Sequence, residues 1–403
     1  MNSWRKWFPN RVTISICLAV CFIYGLIFLR RPVMVGGFHP PPFAAIGGMH
    51  PGKSDQPLFS EEFLPAVPNS NITHVASMCE LSDGALLAVW YAGPSELDRD
   101  VAIYSSIRAP GERSWSDPRV LVDRAQASGE LKRFVRKVGN AVIWSDRDGR
   151  VYLLYVSAIG GWSSSTINLK ISKDDAKTWG PSIRLSLSPF CNFSELVRNQ
   201  PVALAGGGFM VPVYHESIGK FPEILWLLPD SRIAGGFDVY KTRIDGSRGF
   251  LQPSLVTLDS HSALAFLRNS SGPELGVSFS GNAGLSWGTP EYAGLPNPNS
   301  GICAIRIPGE RLLMVFNDGS IPGVRDNLRL AVSDLKGKNW TRIAGLEDAA
   351  YQSFAYPFII RDRDGIYHVV YTYNRNRIKH LTFNGAWMED RIRGARPPAA
   401  PAE

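Results

Sequence analysis

Cysteine is scarce in this 403-residue chain, with five in all, at positions 17, 21, 79, 191 and 303. An odd, widely spaced set gives no disulfide framework, and no Cys or His pair stands at a metal-ligand spacing. Cys79, Cys191 and Cys303 are expected to be buried in strands. No nucleotide-binding motif is present either, so neither metal nor cofactor is expected. Charge of one sign is missing from the body of the chain. The net +7 divides into +5 from residues 1–31 and +2 from residues 391–403, leaving none between. A neutral globule with basic ends suits a membrane surface better than nucleic acid, so no nucleic-acid partner is expected.

Long apolar runs are absent, with one exception. Val12 to Leu29 is 18 uncharged residues, followed directly by Arg30 and Arg31. That length is just enough to cross a bilayer as a helix. No A-x-A site closes the run, so an uncleaved anchor is expected over a cleaved signal peptide. Residues 1–31 are then a single-pass membrane anchor, with the globular domain outside the cytoplasm. Residues 32–60, with Pro32, Pro40–Pro42, Pro51 and Pro57, read as a spacer and not a folded unit. The tail 391–403 reads as disordered.

What the chain has in place of helical periodicity is repetition. One phrase, Ser172-Lys-Asp174-Asp-Ala-Lys-Thr178-Trp179, returns in worn form at Ser280–Trp287 and Ser333–Trp340, with a remnant at Ser114-Trp115. Each reads as a hairpin turn with an Asx side chain to bond nearby backbone and a Trp to bury. A second repeat pairs a turn, usually Gly, with an apolar strand, beginning at Gly84, Gly149, Gly207, Ser260, Gly309 and Gly365. Six copies over 281 residues have a mean period of about 56. A period in this range, filled with strands, predicts an all-β, six-bladed β-propeller over residues 61–390. The strand at Tyr371–Phe383 is expected to pair with the segment around Phe63–Val67 and close the ring.

The phrase at Ser172–Trp179 is an Asp-box, or BNR repeat, and the chain resembles the sialidase (neuraminidase) superfamily over roughly residues 60–390. Its wording (HVAS, PVYHE, LPNPNSG, SFAYP) is similar to a bacterial subgroup of sialidase-like BNR proteins. Sialidases hold a sugar carboxylate with three arginines and use an aspartic acid/base and a tyrosine nucleophile activated by a glutamate. The resemblance assigns Arg268 and Arg325 to the carboxylate, Tyr356 to the nucleophile and Asp100, beside Glu96 and Asp98, to the acid/base. It also shows two departures. His74 stands where the first arginine belongs, and Gln252 where the glutamate belongs; a glutamine cannot accept the tyrosine's proton.

Substitutes are at hand. His215 and Glu216 end the third apolar strand, and Arg198, Asn199, Asn299 and Arg375 are further polar candidates near the expected mouth. These residues lead to the expectation of an exo-glycosidase, hydrolysing a terminal acidic sugar from a glycan. Its alternatives are a glycan-binding propeller without chemistry, and a polysaccharide lyase in which His215 or His74 abstracts a proton beside a uronate.

Overall fold

The structure is a computed structural model that describes residues 10–28, 37–39, 56–96, 98–146, 148–187, 194–217, 219–230, 232 and 236–395. Its strands form six antiparallel sheets. Blade 1 runs from Ile72 to Val122, blade 2 from Lys137 to Arg184, blade 3 from Glu195 to Arg243, blade 4 from Phe250 to Pro296 and blade 5 from Cys303 to Asp348. Blade 6 takes Phe354–Arg361, Tyr367–Tyr373 and Arg377–Phe383, and borrows its outer strand, Phe59–Phe63, from the start of the chain. The first strands of successive blades pack on one another around the axis, except that the first strand of blade 4 packs chiefly on Phe209–His215, the second strand of blade 3.

Both repeats fall where the propeller needs them. The six Gly-strand copies are the second strands of the six blades, so the repeat period is the blade period. In five of them the turn is a glycine with φ between 77° and 89°, in the left-handed region that a side chain disfavours. The Asp-box is the hairpin between the third and fourth strands, on the outer rim. Asp174 Oδ1 accepts from the Thr178 amide at 2.9 Å and Oδ2 from its hydroxyl at 2.6 Å. Thr178 thereby holds the Asp174 carboxyl down at about 2.

The closing strand lies four residues earlier than expected. Phe59 pairs with Phe383 and Phe63 with Lys379, because Pro65 and Pro68 have no N–H for a ladder beyond Leu64. The stretch Tyr371–Phe383 is not one strand. Asn374 and Arg375 take φ of 49° and 58° and fold it into a hairpin.

The ends of the chain depart further. α1 (Arg11–Phe28) occupies the apolar run. At 18 residues it is only about 27 Å long, short of a bilayer core of about 30 Å. Among the described residues no helix is long and apolar enough to cross a membrane, so the expected anchor finds no support in the structure. α2 (Arg124–Leu131), capped by Asp123, joins blades 1 and 2. α3 (Gly385–Ala395) takes up residues 391–395 of the expected disordered tail, burying Trp387, Met388 and Ile392 against blades 5 and 6. The rest of that tail lies outside the described residues.

Within the expected spacer, residues 37–39 are docked on the propeller. Phe38 is fully buried in the core between blades 3 and 4 and bridges Leu204. Its amide donates to Ser260 O at 2.7 Å. Gly37 permits the approach, since a Cβ there would sit 2.1 Å from Ser260 O. Cys79 and Cys303 are buried in strands as expected; Cys191 lies outside the described residues.

Candidate functional site

Four inner strands carry the same irregularity near their N-terminal ends. The register slips between His74 and Ser77, Gly139 and Val142, Leu251 and Ser254, and Ala355 and Phe358. In each gap one non-glycine residue is left-handed: Val75, Asn140, Gln252 and Tyr356, with φ from 44° to 55°. A bulge adds one residue to one strand and re-aims its side chains, at a cost of order 1–3 kcal/mol for such a backbone. Its recurrence brings Asn140, Gln252 and Tyr356 into one hydrogen-bonded neighbourhood at the axis.

Around Tyr356 stand three arginines from three blades. The Arg198 and Arg325 guanidinium carbons lie 5.6 Å and 5.3 Å from the centre of its ring. Arg268 and Arg325 lie close enough for their charges to favour the ionised form of its hydroxyl. Burial pushes the Tyr356 hydroxyl up, but the Arg268 and Arg325 charges outweigh it, and its pKa lies below the usual tyrosine value.

The acceptors for these guanidinium groups are neutral. Arg198 donates to Asn199 Oδ1 at 2.8 Å and to Pro357 O at 2.5 Å. Arg268 donates to Asn299 Oδ1 at 2.8 Å and Gln252 Oε1 at 3.1 Å, and Arg325 donates to Asn299 O at 3.1 Å. Among the described residues Arg198 Nε and Arg325 Nε are buried with no acceptor. Burial lowers the pKa of both arginines, an expression of how poorly the cations are solvated. Three positive groups without a carboxylate partner make a site for an anion.

His74 completes the wall on the blade 1 side. Its ring meets that of Tyr356 edge-on at 4.8 Å, and Nδ1 lies 3.0 Å from Thr372 Oγ1. Burial first, then the Arg375, Arg325 and Arg198 charges, push its pKa well down, so it is neutral. Tyr214 Oη lies 3.1 Å from both Asn140 Nδ2 and Gln252 Nε2.

The structure thus gathers Tyr356, Arg268, Arg325, Arg198, Asn199, Asn299, Gln252 and His74. Glu216 lies close enough for its charge to oppose ionisation of Tyr356 and Tyr214. Arg375 and Glu96 form an ion pair at the rim, where Glu96 also accepts from Tyr91 at 3.4 Å.

Two expected residues have no contact with Tyr356 or its arginines among the described residues. Asp100 is 58% exposed and lies 3.4 Å from Arg124, and its amide donates to Asp98 Oδ1 at 2.8 Å in a solvated turn. His215 is bonded through Nε2 to Glu223 at 2.8 Å and stacked on Phe221. It belongs to a buried charge cluster of blade 3, in which Lys241 and Arg243 also pair with Glu223. The reason is the alternation of strand residues: His215 and its neighbour Tyr214 point to opposite faces, and it is Tyr214 that faces Asn140 and Gln252.

Sequence reasoning missed Tyr214, Tyr91 and Asn140. Tyr91 and Tyr214 occupy the same place in the strand repeat, seven residues after Gly84 and Gly207, and that shared position is a usable signal. Asn140 has none, since its place depends on a bulge.

Comparison with known proteins agrees with this architecture. The model of the BNR repeat-like domain family matches residues 84–369, well over half the chain. No curated protein matches in sequence. Among solved structures, a Hadza microbial sialidase superposes with a TM-score of 0.63 at 14% identity, over 78% of this chain and 66% of that one. A Dyadobacter fermentans protein of unknown function gives 0.62 at 12% identity, over 83% and 99%. The NanB sialidase of Streptococcus pneumoniae gives 0.61 at 12% identity, over 80% and 70%. The chain spans just under two thirds of the Hadza sialidase, and identities this low speak for the fold. The protein belongs to the BNR repeat-like family and has the six-bladed β-propeller fold that these solved structures share.

Proposed function

We propose that the protein is a glycoside hydrolase that removes a terminal acidic sugar from a glycan. The observation that carries this reading is the set of three guanidinium groups, Arg198, Arg268 and Arg325, whose hydrogen-bond partners among the described residues are carbonyl and amide oxygens. Such a set calls for a carboxylate from outside the chain. In this reading Arg198 takes the place that the first arginine of a sialidase would have, which His74 cannot fill while neutral.

The same arginines also deal with the missing glutamate. A tyrosine needs a base only while its proton is firmly held. With Arg268 and Arg325 favouring the phenolate, Tyr356 attacks the anomeric carbon without the carboxylate that Gln252 replaces, while the glycosidic C–O bond breaks and the departing aglycone oxygen takes up a proton. Water then cleaves the glycosyl–tyrosine bond. Glu216 is the carboxylate near Tyr356 and is proposed to take up and return protons.

The test is release of free acidic sugar from sialylated glycans by the full chain, with Tyr356→Phe as control. No release from the wild-type protein, with retention of the glycan, sinks the hydrolase. That outcome supports the second reading, a glycan-binding propeller, which the engagement of Asp100 with Arg124 favours. An unsaturated sugar product absorbing in the near ultraviolet would instead identify a lyase. Export of the propeller from the cytoplasm is a further proposal, motivated by the apolar run after a basic N-terminus. Fractionation of cells carrying the full chain tests it, and recovery in the soluble cytoplasmic fraction overturns it.

A further inference from the structure

We infer that Tyr214 is a specificity-determining residue whose hydroxyl donates its proton to an oxygen of the bound acidic sugar, next to the group held by Arg268. The inference deepens the reading of the site just given and rests on it.

Counting donors and acceptors around Tyr214 Oη leads to this role. A tyrosine hydroxyl has one proton to give and lone pairs to accept with. Arginine has only donors, so the Gln252 side chain must turn Oε1 toward Arg268, as it does at 3.1 Å. Its Nε2 is thereby committed to Tyr214 Oη, at 3.1 Å. From the other side, in blade 2, Asn140 Nδ2 donates to the same oxygen at 3.1 Å. Both acceptor directions of Oη are filled by N–H groups, and the proton has to leave in a third. Among the described residues nothing accepts it, although the side chain is only 2% exposed. A buried O–H in this condition is unfavourable until a ligand supplies the acceptor.

Burial, with the Glu216 and Tyr356 charges, raises the Tyr214 pKa far above the usual value and keeps the proton on. The two tyrosines of the site are therefore pushed apart, Tyr356 toward the phenolate and Tyr214 toward the neutral donor. Glutamine at position 252 acquires a purpose here. A glutamate would accept the Tyr214 proton and close the donor off; the amide leaves it open.

Calorimetric titration of the full chain with N-acetylneuraminic acid tests this, with melting curves to verify that each variant is folded. Tyr214→Phe is expected to weaken binding by about tenfold. Gln252→Glu is expected to weaken it as well, because the new carboxylate captures the Tyr214 proton. Adding Tyr214→Phe to Gln252→Glu should then cost nothing further, whereas a merely structural tyrosine would show its full loss in both backgrounds. Unchanged affinity in Tyr214→Phe, or a full second loss in the double variant, overturns the inference while leaving the site reading intact if Arg325→Met still abolishes binding. Failure of the folded wild-type protein to bind the sugar at all overturns the site reading, and this inference with it.

Discussion

Replacing Arg325 by Met should leave the empty protein as stable or more so, and its site useless. The side chain is half-buried, its buried Nε finds no acceptor among the described residues, and Arg268 and Arg375 add their repulsion. Exchanging a buried charge for an apolar side chain of similar volume is neutral or stabilising by about 1–4 kcal/mol. Against that, Asn299 O loses its 3.1 Å bond, at about 1 kcal/mol. A net gain of about 0–3 kcal/mol remains, read as a melting temperature that is unchanged or raised by several degrees.

Binding should move the other way. A carboxylate about 4 Å from the guanidinium gains about 4 kcal/mol at an effective dielectric constant near 20. The ceiling on lost affinity for an acidic monosaccharide is therefore roughly a thousandfold. Thermal melting with and without the sugar reads both effects in one instrument. A lower melting temperature together with unchanged affinity would contradict this account of Arg325, since it would mean that the side chain holds the fold and faces no anion.

Phe38→Ala should cost about 3–5 kcal/mol if the buried ring anchors residues 37–39 as described, and should speed limited proteolysis of the N-terminal segment. Equal digestion rates would contradict the docking. Tyr356→Phe should abolish sugar release while keeping glycan binding within a few-fold of wild type, measured on one glycan in parallel. Glu195 offers a pH test. It is buried with Oε2 unpartnered, and burial, reinforced by Glu223 and opposed by Lys241 and Arg184, holds its carboxyl up to about 8. Because the folded pKa exceeds the unfolded one, its contribution to stability is complete below the ordinary value of 4.5 and drains away as pH rises toward 8. Glu195→Gln should remove that decline, so denaturant curves of the two proteins should diverge over this window. Parallel curves would show that Glu195 does not titrate there.

How far the sequence could be read depends on how local each feature is. The blade count and order were legible because each blade is announced by its own turn glycine and strand, and the Asp-box bonds within itself from Ser172 to Thr178. The assignments of Arg268, Arg325 and Tyr356 to one place came through resemblance, and their proximity is a matter of ring closure. Asp100 and His215 stay out of the contacts around Tyr356 for different reasons. Asp100 sits in a loop whose acids bond to local partners, and His215 lies on the opposite strand face from its neighbour Tyr214.

The scaffold was written into the linear order of residues, because turn chemistry, strand patterning and repeat period act over a few residues and need no distant partner. The site was not. Bulges at Val75, Asn140, Gln252 and Tyr356 shift the register by single residues, and a single-residue shift changes which face a side chain occupies. It was likewise only the closed ring that carried Arg198, Arg268 and Arg325 from three blades to one phenol, where among the described residues no carboxylate forms an ion pair with them.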